Sequence, residues 1–382
     1  MILNYQVELC IISFIVFIIM LMISKPWVSF KNPGLQSAKK GVNTFFIVFT
    51  LFNIFQFWAR DYYSYYLGFE YLSQYTNELE DGYEEVYNWL AKVLNNNYHL
   101  WRTIIWGIAS IFTYYTAKIL DIRNRNLLVL LTLITAINNL DNVTRGVLGH
   151  TMLLFGAVLF VDKRSSTLTK IIGLTLVCVS YYFHKSMYVN IIFAFLALFP
   201  FGKKTVVLSL IAFPFLTTIA TYLINGIASG ELELALGEGV GGVGDRTVAY
   251  ASGESMNFNI NGVIRQIFGL IPEYLSIFYV LKKVFFEKCF NGISKGNLYK
   301  YLARLSFVCI YIGSLFAFVE TSSWIYIRFK CMGFFPMVFV LTKLWTMEKN
   351  TNLYIKAIIL FFVIDILFLY FYSIFITKTI YA

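Results

Sequence analysis

The residues of this sequence best suited to chemistry stand at the ends of long apolar stretches. Asp61 precedes a run of tyrosines that includes Tyr65. Arg145 ends a short polar turn, and the next such turn begins with His184 and Lys185. Carboxylate, guanidinium and imidazole groups bind polar ligands, and carboxylates and imidazoles also transfer protons. Because an ionisable residue at membrane depth is costly to bury, its presence there marks a functional site by default.

A further ionisable residue, Arg328, lies beside a polar turn late in the chain. Each of these residues also has a purely structural explanation. Asp61 can pair with the arginine before it, Arg145 and Arg328 can extend to headgroup phosphates, and His184 can be a satisfied helix-end histidine. All of these turns are predicted on one side of a membrane, which favours a shared cavity at that surface.

Metal, cofactor and dinucleotide sites are not expected. Residues 237–242 match the GxGxxG pattern, but no strand precedes them and no βαβ unit surrounds them. A loop that orders over a substrate is the favoured interpretation of this segment. The five cysteines are scattered, without CxxC or Cys/His spacing. The sequence therefore predicts no metal and no cofactor.

The composition identifies the elements that must position these residues as membrane helices. Hydrophobic residues make up 58% of the chain and charged residues only 14%, with a mean hydropathy of +0.67. Soluble domains carry roughly 25% charged residues. The net charge of +10 does not indicate nucleic-acid binding, because the basic residues lie in short loops between apolar spans. We therefore expect an all-α, polytopic transmembrane helix bundle that forms a single domain over residues 1–382.

Long apolar runs broken by charge clusters predict about twelve spans. A helix needs roughly 20 residues to cross hydrocarbon, so the spans 127–141, 146–161, 170–183 and 187–201 are short and require tight loops, tilt or local thinning of the bilayer. The predicted spans are 8–24, 43–58, 99–118, 127–141, 146–161, 170–183, 187–201, 205–225, 263–281, 301–319, 328–344 and 355–377. Basic residues concentrate in every second loop, and the positive-inside rule places those loops in the cytoplasm. Both termini then lie outside.

Two long acidic loops are predicted on the outer face, at residues 59–98 and 226–262. The first contains Glu80, and the second contains Arg246. Most other connections are brief, and long loops in compact proteins are often functional. Recognition or chemistry is therefore expected on the outer face, away from ATP and nucleotide sugars.

The order of these features resembles the EpsG-like, Wzy-type polysaccharide polymerases of bacteria. Three stretches carry the resemblance: Asp61 and its tyrosines followed by Glu80-Asp81-Gly82-Tyr83, then Arg145–helix–Lys163-Arg164–helix–His184-Lys185-Ser186, and finally Ser323–Phe329. The resemblance covers residues 43–200 well and 300–345 loosely. Asp81 stands where the family usually has proline, and residues 226–262 match no known element.

The resemblance implies a GT-C-like membrane glycosyltransferase that polymerises oligosaccharide repeat units carried on undecaprenyl pyrophosphate. The product would be O-antigen or exopolysaccharide. It implies a multi-pass protein of the bacterial cytoplasmic membrane whose active site faces the periplasm or exterior. The expected partners are the lipid-linked oligosaccharide, membrane lipid, a chain-length regulator and a flippase.

A pyrophosphate leaving group needs fixed cations in a partly dry site, and arginine suits this role through its bidentate fork and permanent charge. The resemblance therefore assigns Arg145 and Arg328 to pyrophosphate binding. Lys185 and Arg246 are weaker candidates for the same role.

The acceptor hydroxyl needs a general base, and His184 is the first candidate because imidazole has an ordinary pKa of about 6.5. Asp61 and Glu80 are alternative bases, or they bind sugar hydroxyls through their carboxylate oxygens. Tyr65 and its neighbours stack on sugar rings or sit at the membrane interface.

Three rival functions remain open from the sequence. A lipid-linked oligosaccharide flippase would share the span count, but transporters place binding charges near the midplane and are often built from paired repeats. No repeat is visible here. A ligase that joins glycan to a lipid core would share the donor and much of the architecture, and a non-catalytic assembly partner is a further alternative.

Overall fold

The computed structural model describes residues 85–122, 144–184, 187–228, 274–316 and 323–347, with single residues at positions 15, 22, 66, 69, 128 and 360. In these ranges the chain is helix and turn, without a strand. The predicted all-α class is confirmed for this part of the protein. The number of twelve spans and a GT-C-like arrangement remain predictions.

The helices are named in chain order. They are α1 (Glu85–Val93), α2 (Tyr98–Ile119), α3 (Thr144–Val161), α4 (Thr167–Val179), α5 (Met187–Leu196), α6 (Lys203–Ala228), α7 (Gly296–Leu315) and α8 (Ser323–Met347). A 3₁₀ turn, Ser180–Phe183, extends α4, and the helical residues 274–281 pass into a π-helical turn, Lys282–Phe286.

Predicted spans and observed helices coincide within a few residues from α2 to α8. Among the described residues, one helix is both long and apolar enough to cross a membrane, Lys203–Leu223 within α6, with a mean hydropathy of 2.0. Only 11% of that stretch is buried by the rest of the chain. Shorter apolar helices are Gly146–Val161, Thr167–Phe183, Met187–Leu196 and Met332–Met347. The predicted spans 8–24, 43–58, 127–141 and 355–377 lie outside the described ranges.

Close contacts at small residues hold neighbouring helices together. A Cβ atom on Gly156 of α3 would lie 2.6 Å from the carbonyl oxygen of Gly173 in α4, and the reverse contact has the same length. A Cβ on Gly333 of α8 would lie 3.1 Å from the carbonyl oxygen of Ser306 in α7. Small residues allow backbones to approach this closely, which is how helices gain packing energy where lipid supplies no hydrophobic drive.

Several loops and helix ends meet at one end of the bundle, which we call the basic end. The Lys295 ammonium donates to the carbonyl of Ile119, and the Tyr299 hydroxyl donates to the carbonyl of Leu120 at 2.5 Å. Arg164 donates to the Ser294 hydroxyl at 2.7 Å. These contacts join the end of α2, the α3–α4 loop and the residues before α7. Three of the loops predicted to be basic and co-facial are thereby brought together.

The other end of the bundle, which we call the opposite end, contains the starts of α2, α3 and α8 and the turn between α4 and α5. The rings of Phe193 in α5 and Phe329 in α8 lie 5.2 Å apart, and Phe316, just after α7, lies 6.4 Å from Phe329. The helices therefore alternate in direction between two ends, as the sequence predicts for consecutive spans.

Candidate active site

His184 is the predicted site residue that the structure describes in full. It follows the 3₁₀ turn with extended backbone angles, φ −165° and ψ 126°. Its amide donates to the carbonyl of Tyr181 at 3.2 Å, and its carbonyl accepts from the amide of Met187 at 2.8 Å. The residue is only 6% exposed. The reversal between α4 and α5 thus holds an imidazole inside the bundle at the opposite end.

Of the other predicted site residues, two are described by their backbone, and the rest lie outside the described ranges. Arg145 is the second residue of α3, and Arg328 lies in the second turn of α8. For both, the structure gives the position in the helix backbone. The remaining predicted residues lie outside the described ranges: Asp61, Tyr65, Glu80, Lys185 and Arg246.

One contact between α3 and α8 fixes the relative depth of the two arginines. His150 Nδ1 lies 3.3 Å from the Met332 sulfur. Arg145 precedes His150 by about 7.5 Å along α3, and Arg328 precedes Met332 by about 6 Å along α8, at 1.5 Å per residue. The two arginines therefore occupy similar levels at the N-terminal parts of adjacent helices. Helix N-termini carry partial positive charge and attract anions.

A second contact brings His184 to the same level. A Cβ on Gly149 of α3 would lie 3.3 Å from the Ser180 carbonyl oxygen and 2.9 Å from Met187 Cγ. The 3₁₀ turn rises about 2 Å per residue, so His184 lies roughly 8 Å beyond Ser180 toward the opposite end. That distance places it beside the first turn of α3. The segments containing Arg145 and His184 therefore meet in space, although a whole helical hairpin separates them in sequence.

Helix α1 packs on this region through one buried tyrosine. The Tyr87 ring lies 5.3 Å from the Trp101 ring of α2 and 6.3 Å from the Phe183 ring, next to His184. Tyr87 and Trp101 are both fully buried. The end of the predicted outer loop 59–98 is thus a helix that is anchored beside the His184 turn. Glu80 precedes that helix in the chain.

Two buried ionisable residues near this region were missed by the sequence analysis. Arg102 of α2 is 2% exposed and follows Trp101, and His150 of α3 is 1% exposed. The Phe112 and Phe155 rings, 5.4 Å apart, align α2 with α3. Counting back about 15 Å along α2 places Arg102 at the level of the start of α3. Both residues could have been found in the sequence as ionisable residues within predicted spans, since such residues usually mark a functional site.

No group of three or more His, Cys, Asp or Glu side chains converges on a possible metal position within the described part of the chain. The arrangement instead combines a buried imidazole with two helix starts that carry arginines. Such a site can bind an anion and accept a proton from a hydroxyl group.

Comparison with known families identifies the chain. The model of the EpsG family matches residues 41–381. This chain belongs to the EpsG family. No curated protein and no solved structure matches it.

Membership of the EpsG family and the apolar helices indicate a membrane protein with a polysaccharide polymerase-like function. The family match extends beyond residues 43–200, where the resemblance is strongest, and includes α6, α7 and α8. It therefore contains all the helices that bring the His184 turn, Arg145 and Arg328 to one end of the bundle.

Proposed function

We propose that this EpsG-family chain is a polysaccharide polymerase of the bacterial cytoplasmic membrane. It transfers a glycan from a polyprenyl pyrophosphate carrier to the next lipid-linked repeat unit. The reaction takes place at the opposite end of the bundle, which faces the periplasm or exterior. The observation that carries the proposal is the buried His184 turn beside the start of α3, where Arg145 lies.

The chemistry is a displacement at the anomeric carbon of the donor sugar. The bond from that carbon to the pyrophosphate oxygen breaks, and a bond from the acceptor hydroxyl oxygen forms. The hydroxyl proton passes to a base, and the lipid pyrophosphate leaves with the bonding electrons. Because the donor carries its own leaving group, the reaction needs no nucleotide on the outer face of the membrane.

Arg145 and Arg328 suit stabilisation of the leaving pyrophosphate. Both belong to N-terminal turns of long helices, and those helices contact each other through His150 and Met332. Two guanidinium groups and two helix N-termini would offset the negative charge that develops on the leaving group. Lys185 and Arg246 remain further candidates on this face.

His184 suits the role of general base. A neutral imidazole accepts a proton through its unprotonated ring nitrogen, and the hydrogen bonds of its own backbone hold the residue in place. Its burial limits the access of water, which would otherwise compete with the acceptor hydroxyl and hydrolyse the donor. Asp61 and Glu80 are proposed as alternative bases or as ligands of sugar hydroxyls, with Tyr65 as a stacking surface.

The basic end of the bundle supports this orientation. Lys203, Lys282, Lys295 and Lys300 lie in or next to the loops at that end. Positively charged loops are retained in the cytoplasm, so the His184 end faces outward. Lipid-linked repeat units, once flipped, are presented on that face.

The size distribution of surface glycan in a strain that lacks this chain tests the proposal. We expect a lipid core capped with a single repeat unit and no longer ladder on a denaturing gel, with the ladder restored by the wild-type chain. Loss of every capped species, with lipid-linked repeats accumulating, would instead identify a flippase or a ligase.

A further inference from the structure

A second site lies away from the candidate active site, in an apolar groove of about 130 Å³ between α6, residues 274–281 and α7. Its walls include Leu210 of α6, Tyr274 and Ile277 of the short helical segment, and Phe307 and Ser314 of α7. On α6 it lies beside Pro214, which lacks the amide proton that would bond the Leu210 carbonyl and so interrupts the helix ladder.

The groove continues at the basic end into a cluster of aromatic rings and cations. Phe307 of the groove wall lies 6.0 Å from the Phe201 ring, which stacks on Phe285 at 6.0 Å. The Arg304 guanidinium lies 5.9 Å over the Phe201 ring. The Lys203 ammonium lies 5.1 Å over the neighbouring Phe286 ring. Two cations, one over Phe201 and one over Phe286, thus stand at one end of the apolar groove.

Neither cation is neutralised by a carboxylate of the described residues. At this position the nearby acid is Glu287, whose carboxylate pairs with Lys283 at 2.8 Å and with Lys282 at 3.9 Å. Arg304 Nε is buried and donates no hydrogen bond within the described part of the chain. Lys203 also opens α6, so the partial positive charge of a long helix adds to the local field. The positive charge of this cluster is therefore not balanced by any described carboxylate, and the cluster can bind an anion.

The other end of the groove is neutral. There the Tyr274 hydroxyl donates to the Ser314 hydroxyl at 2.8 Å, and none of the described wall residues is of a type that is charged at neutral pH. The groove is therefore cationic at the basic end, and the rest of it is apolar and suited to an acyl chain. A phospholipid of the adjacent leaflet has the same polarity, with a phosphate at the membrane surface and hydrocarbon below it.

We propose that the groove binds an anionic phospholipid from the leaflet at the basic end. The lipid phosphate lies between Lys203 and Arg304, and one acyl chain enters the groove between α6 and α7. The exposed face of α6 beside it, with Leu208, Ile211 and Phe215 at 65%, 71% and 69% exposure, receives the second chain. The site lies at the end of the bundle away from His184, so it is separate from the proposed polymerase site.

The test measures lipid retention by the full chain, purified in nanodiscs of phosphatidylcholine that contain a minority of phosphatidylglycerol. Native mass spectrometry after release counts the lipids that stay bound. We expect the wild-type chain to retain phosphatidylglycerol in preference to phosphatidylcholine. Lys203→Gln combined with Arg304→Gln should lower that preference about 25-fold, because each basic residue near a lipid surface contributes about fivefold.

A charge-matched control separates a defined site from general attraction to the basic end. Lys118→Gln combined with Lys170→Gln removes the same charge at that end, on α2 and α4, and should leave retention unchanged. Leu210→Trp, at a wall position that is 40% exposed, fills the groove without changing charge and should reduce retention, while all variants keep the wild-type unfolding temperature in phosphatidylcholine alone. Equal losses in both double variants would overturn the proposal, as would full retention by Leu210→Trp or preferential retention of an added polyprenyl phosphate.

Discussion

The substitution Gly156→Ala probes the contact that sets the spacing of α3 and α4. The added Cβ would lie 2.6 Å from the Gly173 carbonyl oxygen, 2.9 Å from Leu176 Cβ and 3.0 Å from the Val177 amide nitrogen. Two of these atoms belong to the backbone and cannot rotate away. The helices must therefore separate by roughly 0.5 Å or more to restore ordinary contact distances.

The cost follows from overpacking of a well-packed interface, which typically destabilises by about 1–3 kcal/mol. Gly107→Ala is the matched control, because nothing lies within 4 Å of a Cβ at that position of α2. Alanine gains up to about 1 kcal/mol over glycine in a helix interior. Because both substitutions lie inside helices, this gain is common to both and cancels. The two alanine variants should therefore differ in free energy of unfolding by about 1–3 kcal/mol, with Gly156→Ala the less stable.

Unfolding of both purified variants in mixed detergent micelles gives the difference directly. The contact also bears on function, because α3 carries Arg145 and α4 leads into the His184 turn. A displacement of catalytic groups by roughly 0.5 Å or more lowers the catalytic rate by roughly tenfold or more. Equal stability of the two variants would refute the close packing of α3 on α4. Lower stability with full polymerisation would instead refute the dependence of the site on that spacing.

Three further substitutions test individual contacts. Arg145→Lys should shorten or abolish the glycan ladder, because a lysine cannot reproduce a bidentate phosphate contact; a wild-type ladder would exclude that role. His184→Gln should lower the rate of polymerisation about 10²-fold or more in membranes containing lipid-linked repeats, and unchanged polymer length and rate would remove His184 as the base. Tyr299→Phe leaves the buried Leu120 carbonyl without its donor and should cost about 1–3 kcal/mol in unfolding assays, whereas Tyr188→Phe, at an exposed position, should cost nothing; equal effects would contradict the α2–α7 contact.

Hydropathy alone located the helices from α2 to α8, because charge clusters interrupt apolar runs where the chain reverses. Alternation of basic loops likewise predicted the meeting of the α3–α4 loop with the residues before α7, which Arg164 and Ser294 now join. These features depend on the sum of many residues over a span, so single exceptions do not obscure them.

Helix α1 escaped prediction because it lies in a segment rich in charge. Three of its apolar residues, Tyr87, Leu90 and Ala91, and Leu94 just after its end pack against the core, in an i, i+3, i+4, i+7 pattern that indicates an amphipathic helix. The acidic residues before α1 led to the prediction of a loop, although this short helical pattern was present. A nine-residue helix also gains most of its stability from packing rather than from propensity, here through Tyr87.

Arg102 and His150 escaped prediction for a different reason. Both lie within predicted spans, and sequence position does not tell which face of a span the bundle covers. Only the packing of α2, α3 and α8 shows that both side chains point inward. The motif of Arg145 and His184, by contrast, was visible in sequence because both residues border a turn. The proximity of the two segments in space depends on the close approach of Gly149 to Ser180, which no sequence pattern predicts.

Reconstitution of the purified chain with a lipid-linked repeat unit tests the central claim most directly. Proteoliposomes that contain the chain and a polyprenyl pyrophosphate-linked oligosaccharide are incubated without nucleotide, and lipid-linked products are resolved by size. The account predicts oligomers of increasing length with release of one polyprenyl pyrophosphate for each bond formed, and loss of both in His184→Gln. Transfer of the substrate between leaflets without any longer product would contradict it.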